Sequence, residues 1–223
     1  MMKKCILIIA LMCVQLFCGM SMVDAQETYK VGDFYCDDDK MGVVFWVDES
    51  GQCGKIVSLA ESPRLEWAKS RDCMTNFSAY DRTNGIYNLM RISIQGSWME
   101  RFPAFGWCGE LGDAWYLPAV DELKLLLSKE VVEAVNDTLS ELFQLGGVEI
   151  NVGYDEDGAV RWYWSSTEPK EPKHGDPCFA YAVLCSGGEE FQLDKEQYRC
   201  YVRAIAKFGN EAKRGEMTLV PLQ

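Results

Sequence analysis

The residues best equipped for chemistry lie in one Pro-rich stretch, Thr167 to Pro177, and on its flanks. Glu168, Lys170, Lys173, His174 and Asp176 supply charge and hydrogen-bonding groups there, beside the aromatic rings of Trp162 and Tyr181. Rings next to carboxylates suit a sugar, because a pyranose presents an apolar C–H face and a rim of hydroxyls. Loops carried on a rigid scaffold commonly hold recognition residues. The same stretch also reads as a solvated loop above ordinary core aromatics, and residue types alone leave both readings open. In Tyr163-Trp164-Ser165-Ser166-Thr167-Glu168, the Trp164 ring reads as core, and the two serines as groups that satisfy backbone at a strand end.

His174 is the only histidine in the chain. A Ser-His-Asp, Cys-His or histidine–metal constellation would have to rest on that one residue, so it is read as neither base nor ligand. Asp37-Asp38-Asp39 and Asp155-Glu156-Asp157-Gly158 are carboxylate-rich, but neither continues into a spaced calcium loop; both read as solvated linker or turn. No enzymatic set, metal or cofactor is expected.

The context of that loop is an exported chain. Lys3 and Lys4 precede an apolar run from Cys5 to Cys18, and Val23-Asp24-Ala25 resembles a small-x-small cleavage site, so residues 1–25 read as a signal peptide. The expected location is periplasmic, cell-surface or secreted, with no transmembrane segment in the mature chain. Three of the ten cysteines fall in this leader, leaving Cys36, Cys53, Cys73, Cys108, Cys178, Cys185 and Cys200. Export permits disulfides, and they are expected here, with at least one cysteine left over from an odd count. Spacing does not assign the pairs, and with no Cys-x-x-Cys motif a zinc or thioredoxin-like site has no support. A formal net charge of −12 argues against nucleic acid as a partner.

The elements that must position the loop can be read from periodicity. Residues 26–40 form a polar linker. Strands are expected over 41–47 and 55–59, closing a hairpin, and over 148–152, 160–165, 179–184, 189–193 and 197–208. Helices are expected over 61–72, with Ser62 as N-cap and Pro63 in the first turn, and over 85–95, 118–128 and 129–145. Residues 96–113, rich in Gly, Trp and Phe, read as irregular, and 209–223 as a polar tail. Strands at both ends with helices between them give an α+β domain.

Four pieces stand in a characteristic order: Gly42-Val43-Val44-Phe45-Trp46-Val47-Asp48 closing into Gly54-Lys55-Ile56-Val57-Ser58-Leu59; Trp115-Tyr116-Leu117-Pro118 through Glu122-Leu123; Tyr163 to Glu168; and Val202-Arg203-Ala204-Ile205. Over residues 41–208 the chain resembles the Lcl C-terminal-like domain, a family named after the C-terminal domain of bacterial collagen-like adhesins. It is also similar to the major-paralogous-domain family of exported bacterial proteins. The resemblance implies a C-type-lectin-like fold of the branch shared with formylglycine-generating enzymes, with the N-terminal hairpin and the last strand in one sheet. It implies an adhesion or binding module for a glycan or protein ligand, with a structural role in the cell envelope as the alternative. The cysteine pair that binds copper in the enzymes of that branch, spaced by four residues, has no counterpart: Cys178 and Cys185 have six between them and read as a disulfide or as buried thiols. Calcium-dependent lectins of this fold carry Glu-Pro-Asn or Gln-Pro-Asp; here Glu168-Pro169-Lys170 and Glu171-Pro172-Lys173 lack the third oxygen ligand.

Overall fold

The computed structural model describes residues 27–37, 39–155, 157–186 and 188–209. The expected signal peptide and nearly all of the tail lie outside them. The described chain is a mixed α+β fold with two antiparallel sheets. β1 (Phe34–Cys36), β2 (Met41–Val47), β3 (Gly54–Ser58) and β7 (Ile205–Phe208) form one sheet in the order β1-β2-β3-β7. β4 (Trp162–Trp164), β5 (Phe179–Leu184) and β6 (Glu190–Asp194) form the other. Between them come α1 (Gly85–Ser93), α2 (Trp98–Arg101), α3 (Pro103–Glu110), α4 (Val120–Leu126) and α5 (Lys129–Glu141).

The first sheet is buried on both faces, which explains why β2 reads as a continuous apolar run rather than an alternating one. Val44, Ile56, Ala206 and Phe208 face a cluster built on Trp67, Phe102 and Phe105. Val43, Phe45, Val57 and Ile205 face Leu123, Leu126, Val135 and Leu139 of α4 and α5. The hairpin register sets Val43 opposite Val57 and Val44 opposite Ile56, then shifts at Phe45, a bulge.

Glu122 ties the hairpin to the helical layer. Its Oε2 accepts the backbone N–H of Ala119 and of Gly85, both at 2.9 Å, capping α4 and fixing the start of α1. Its Oε1 meets Lys55 Nζ of β3 at 2.9 Å and accepts the Tyr116 hydroxyl at 3.2 Å. The N-cap of α4 is therefore Ala119, and Pro118 precedes the helix instead of opening it; the Pro118 carbonyl is taken by the Ser166 N–H at 2.7 Å.

Several sequence expectations are corrected. Residues 61–72 form turns, not a helix. Their backbone pairs with the late chain: the Leu65 N–H donates to the Cys200 carbonyl at 2.8 Å, the Cys200 N–H to Leu65 at 3.0 Å, and the Trp67 N–H to Lys195 at 2.9 Å. Residues 96–113 are largely helical, as α2 and α3. Pro103 opens α3, and Gly106 allows α2 to pack against it, since a Cβ there would collide with the Met99 carbonyl. Residues 148–152 form no strand; Asn136 brackets Ile150, accepting its N–H at 2.7 Å and donating to its carbonyl at 2.9 Å. Of 197–208 only the last four residues are a strand, the rest being held by single bridges at Cys200 and Tyr201. The stretch read as linker contributes β1 to the sheet edge.

The expectation of disulfides is overturned: none is formed among the described residues, and Cys73, Cys108, Cys178, Cys185 and Cys200 are buried thiols. Cys178 and Cys185 flank opposite ends of β5, a separation no disulfide can bridge. Burial, aided by Asp176 and Asp194, pushes the Cys178 thiol up to about 12, and burial alone raises Cys200. These thiols behave as small apolar core residues.

Replacing Glu122 by Ala removes a buried carboxylate from four donors at once. Glu122→Ala is expected to lower unfolding stability by about 3 kcal/mol or more. Urea titration checks this, with a lowered midpoint at an unchanged m-value as the expected result.

Candidate functional site

The second sheet carries the candidate site, and its pleat divides the predicted residues between two surfaces. In the β4–β5 register Trp162 opposes Leu184, and in β5–β6 Tyr181 opposes Gln192. Side chains alternate along a strand and cross-strand partners share a face, so Trp162 and Leu184 lie on one face and Tyr181 on the other.

On the Trp162 face, the main core covers Trp164, Ala180 and Ala182 and then runs out. Beyond that limit Trp162 and Phe191, ring centroids 5.0 Å apart and edge to face, open into a cleft of about 480 Å³. Tyr198 and Tyr201 complete its aromatic lining, with Val160 and Leu184. Phe191 is 47% and Tyr198 50% exposed, unusual for rings that sit together. Charge surrounds the cleft in matched pairs: Arg64 bonds Asp155 at 3.1 Å and Asp157 at 2.7 Å, and Arg199 bonds Glu66 at 2.6 Å. Arg161 stacks on the Tyr201 ring at 4.2 Å, fixing its plane.

On the Tyr181 face, a groove of about 470 Å³ is lined by Tyr80, Arg82, Thr167, Glu168, Lys170, Glu171, Tyr181 and Gln192. Arg82 lies over the Tyr181 ring at 5.4 Å and is held by Asp121 at 2.9 Å and Glu190 at 2.7 Å. Lys124 also reaches Glu190, at 3.2 Å.

The predicted loop residues thus have different fates. Lys170 is exposed and lines the groove. Lys173 and His174 are exposed in a 3₁₀ turn; the Lys173 N–H donates to Gln192 Oε1 at 2.6 Å and His174 has φ of 60°. Asp176 is half-buried and accepts the Cys178 N–H at 3.1 Å. Glu168 is turned inward, 2% exposed, and bonded to Lys195. Ser165 Oγ donates to the Tyr181 carbonyl at 2.8 Å, so that serine satisfies backbone. Thr167 Oγ1 accepts the Val120 N–H at 3.0 Å and donates to the Asp81 carbonyl at 2.9 Å. Asp155 Oδ1 accepts the N–H groups of Asp157 and Ala159 at 3.0 and 2.8 Å, a turn-forming role.

Sequence reasoning missed Phe191, Tyr198, Tyr201 and Arg64 as residues of the cleft. Tyr198 and Tyr201 fall in the stretch read as the strand 197–208, whose expected regular pairing hid that they border the cleft. No group of His, Cys, Asp and Glu able to hold a metal occurs among the described residues. Among the same residues no helix is long and apolar enough to cross a membrane. A scan against protein-family models gives no match, and a search of curated proteins finds none similar to this chain.

The anchor of the groove is sensitive to acid. The Arg82 hydrogen bond, and then Lys124, hold the Glu190 carboxyl below its ordinary value of 4.5. A depressed folded value stabilises the fold above the unfolded carboxylate range and is lost as pH falls through the folded value. Thermal midpoints measured from pH 7 down to about 3 should fall less steeply below about pH 4.5 in Glu190→Gln than in wild type. The variant, for its part, should be less stable at pH 7.

Proposed function

We propose that this chain is an exported, non-enzymatic binding module of C-type-lectin-like fold, related to the Lcl C-terminal-like domains, that recognises glycans at the cell surface. The observation that carries the ligand reading is the cleft formed by Trp162, Phe191, Tyr198 and Tyr201. Several partly exposed rings converging beside hydrogen-bonding groups match the two-sided chemistry of a pyranose, apolar on its face and polar at its rim. Because Arg64 and Arg199 at the cleft are paired with Asp155, Asp157 and Glu66, and Glu189 adds a further carboxylate, an uncharged sugar suits it better than a polyanion. The resemblance supports the fold reading: β1 to β3 and β7 share one sheet, as it implies. A second reading, a component of envelope assemblies, is favoured by the exposed apolar stripe of Tyr87, Met90 and Ile94 on α1.

A glycan array with purified protein tests the first reading, run with calcium and again with chelator. Hits are expected in both arms. Tyr198→Ala and Phe191→Ala, at exposed positions, should each weaken the best hit about tenfold, or about 1.4 kcal/mol. A blank array from folded protein sinks the glycan reading. Pull-down partners lost on Met90→Asp or Ile94→Asp would then establish the assembly role.

A further inference from the structure

Lys195 and Glu168 form the one lysine–carboxylate pair among the described residues in which both side chains are sealed from solvent, at 0% and 1% exposure, with Nζ 2.6 Å from Oε1. Glu168 borders the groove on the Tyr181 face, but its side chain is turned away from solvent. Its surroundings are specific. The other carboxylate oxygen, Oε2, accepts two backbone N–H groups, from Phe77 at 2.9 Å and Ala79 at 3.0 Å. Two convergent N–H donors on one oxygen are what stabilises a tetrahedral carbonyl adduct. The amine is aimed by the carbonyls of Thr75 at 2.9 Å and Pro177 at 2.8 Å. It lies over the rings of Trp67, at 4.8 Å, and Phe77, at 5.7 Å.

We propose that Glu168 and Lys195 are the reacting pair of an intramolecular amide bond that the folded chain forms with loss of one water. The ammonium passes a proton along the existing hydrogen bond to Oε1. The freed lone pair on Nζ attacks Cδ, the C–N bond forms, and the π electrons move to Oε2, where the Phe77 and Ala79 N–H groups hold the charge. A second proton moves from nitrogen to Oε1, the Cδ–Oε1 bond breaks, and Oε1 leaves as water while the carbonyl re-forms on Oε2. Nitrogen keeps its third proton. Nothing is oxidised or reduced, and no co-reactant is consumed.

Three physical terms favour the step. Fixing two groups in contact supplies an effective molarity of about 10⁵ M or more. Desolvation disfavours the ammonium, and burial lowers the Lys195 pKa from its ordinary value. The product exchanges two buried charges for a neutral amide, and the enclosed site withholds the bulk water that would reverse it. The bond would close a covalent loop from residue 168 to residue 195 around the Pro-rich loop, β5 and β6. A strand pair carrying recognition surfaces is thereby clamped against pulling.

Intact-mass spectrometry of the folded wild-type full chain tests this, followed by peptide mapping. The expected mass is one water below that of the sequence from whatever N-terminus is found. The expected map contains a branched peptide joining Glu168 to Lys195. Lys195→Arg should return to its own sequence mass. Wild type at full sequence mass after prolonged incubation overturns the proposal. So does a lost water that maps elsewhere, leaving both residues in linear peptides. The wild-type protein decides the question, whether or not a variant folds.

Discussion

The fold hinges on one buried guanidinium. Arg203 is fully enclosed, and each of its three nitrogens has a protein acceptor. Nη1 donates to the carbonyls of Ser58 at 3.3 Å and Leu59 at 3.2 Å, where β3 ends. Nη2 donates to Val148 at 2.5 Å and Glu149 at 2.9 Å, in the segment after α5. Nε reaches Glu61 Oε1 at 3.3 Å. Glu61 in turn accepts the Tyr163 hydroxyl at 2.6 Å and pairs with Arg161 at 2.8 Å, beside and within β4. One planar cation therefore links the first sheet, the exit from the helical layer and the second sheet. A lysine could not replace it, because three N–H donors on one nitrogen cannot serve the five acceptors that the guanidinium reaches. Loss of the guanidinium would take a donor from four carbonyls, of which Leu59 alone is shown to keep another, the Val148 N–H, and would leave Glu61 short of a partner.

The same junction explains how the last part of the chain works. Residues 200–205 thread between the sheets without forming a long strand. The Trp164 N–H donates to the Tyr201 carbonyl at 3.0 Å and the Tyr201 N–H to Trp162 at 2.9 Å. Four residues on, Ile205 exchanges both of its bonds with Tyr116 at 3.0 Å before entering β7. Backbone groups in this region are thus satisfied by partners far away in sequence, an arrangement that local propensity does not encode.

That distinction separates what was legible in the residues from what was not. β2, β3, β5, α1, α4 and α5 follow from pattern because each carries its own apolar run or period and buries it. The expected helix at 61–72 had a plausible cap in Ser62. In the fold, Ser62 Oγ accepts the Val202 N–H at 2.7 Å and donates to the Pro63 carbonyl, so the hydroxyl serves a tertiary bridge. The glycines of 96–113 signalled irregularity by propensity, yet Gly106 and Gly109 sit where α2 and α3 approach closely. The site was legible in part. The late strands and their loop were singled out, and the sheet they build carries the aromatic cleft. Trp162 and Tyr181, however, were grouped by nearness in sequence, and strand parity puts them on opposite faces. Glu168 reads as a ligand group by type, and its chemistry is directed inward by Lys195, which the sequence places 27 residues away.

The aromatic cleft is a consequence of where the core ends. The core on that face packs around Trp67 and Trp164, and the β4–β6 face outgrows it at Trp162 and Phe191. Left alone, exposed rings at a sheet margin would favour self-association. Here two devices oppose it. The rings are edged by Arg64, Asp155, Arg199 and Glu189, and the chain as a whole carries a formal charge of −12, which makes copies repel at long range. The rings are also held in place, Trp162 by its strand and Phe191, and Tyr201 by the Arg161 face. A surface already ordered gives up little conformational entropy on binding, so contact area there converts into affinity more efficiently than it would on the mobile charged side chains of the neighbouring loop.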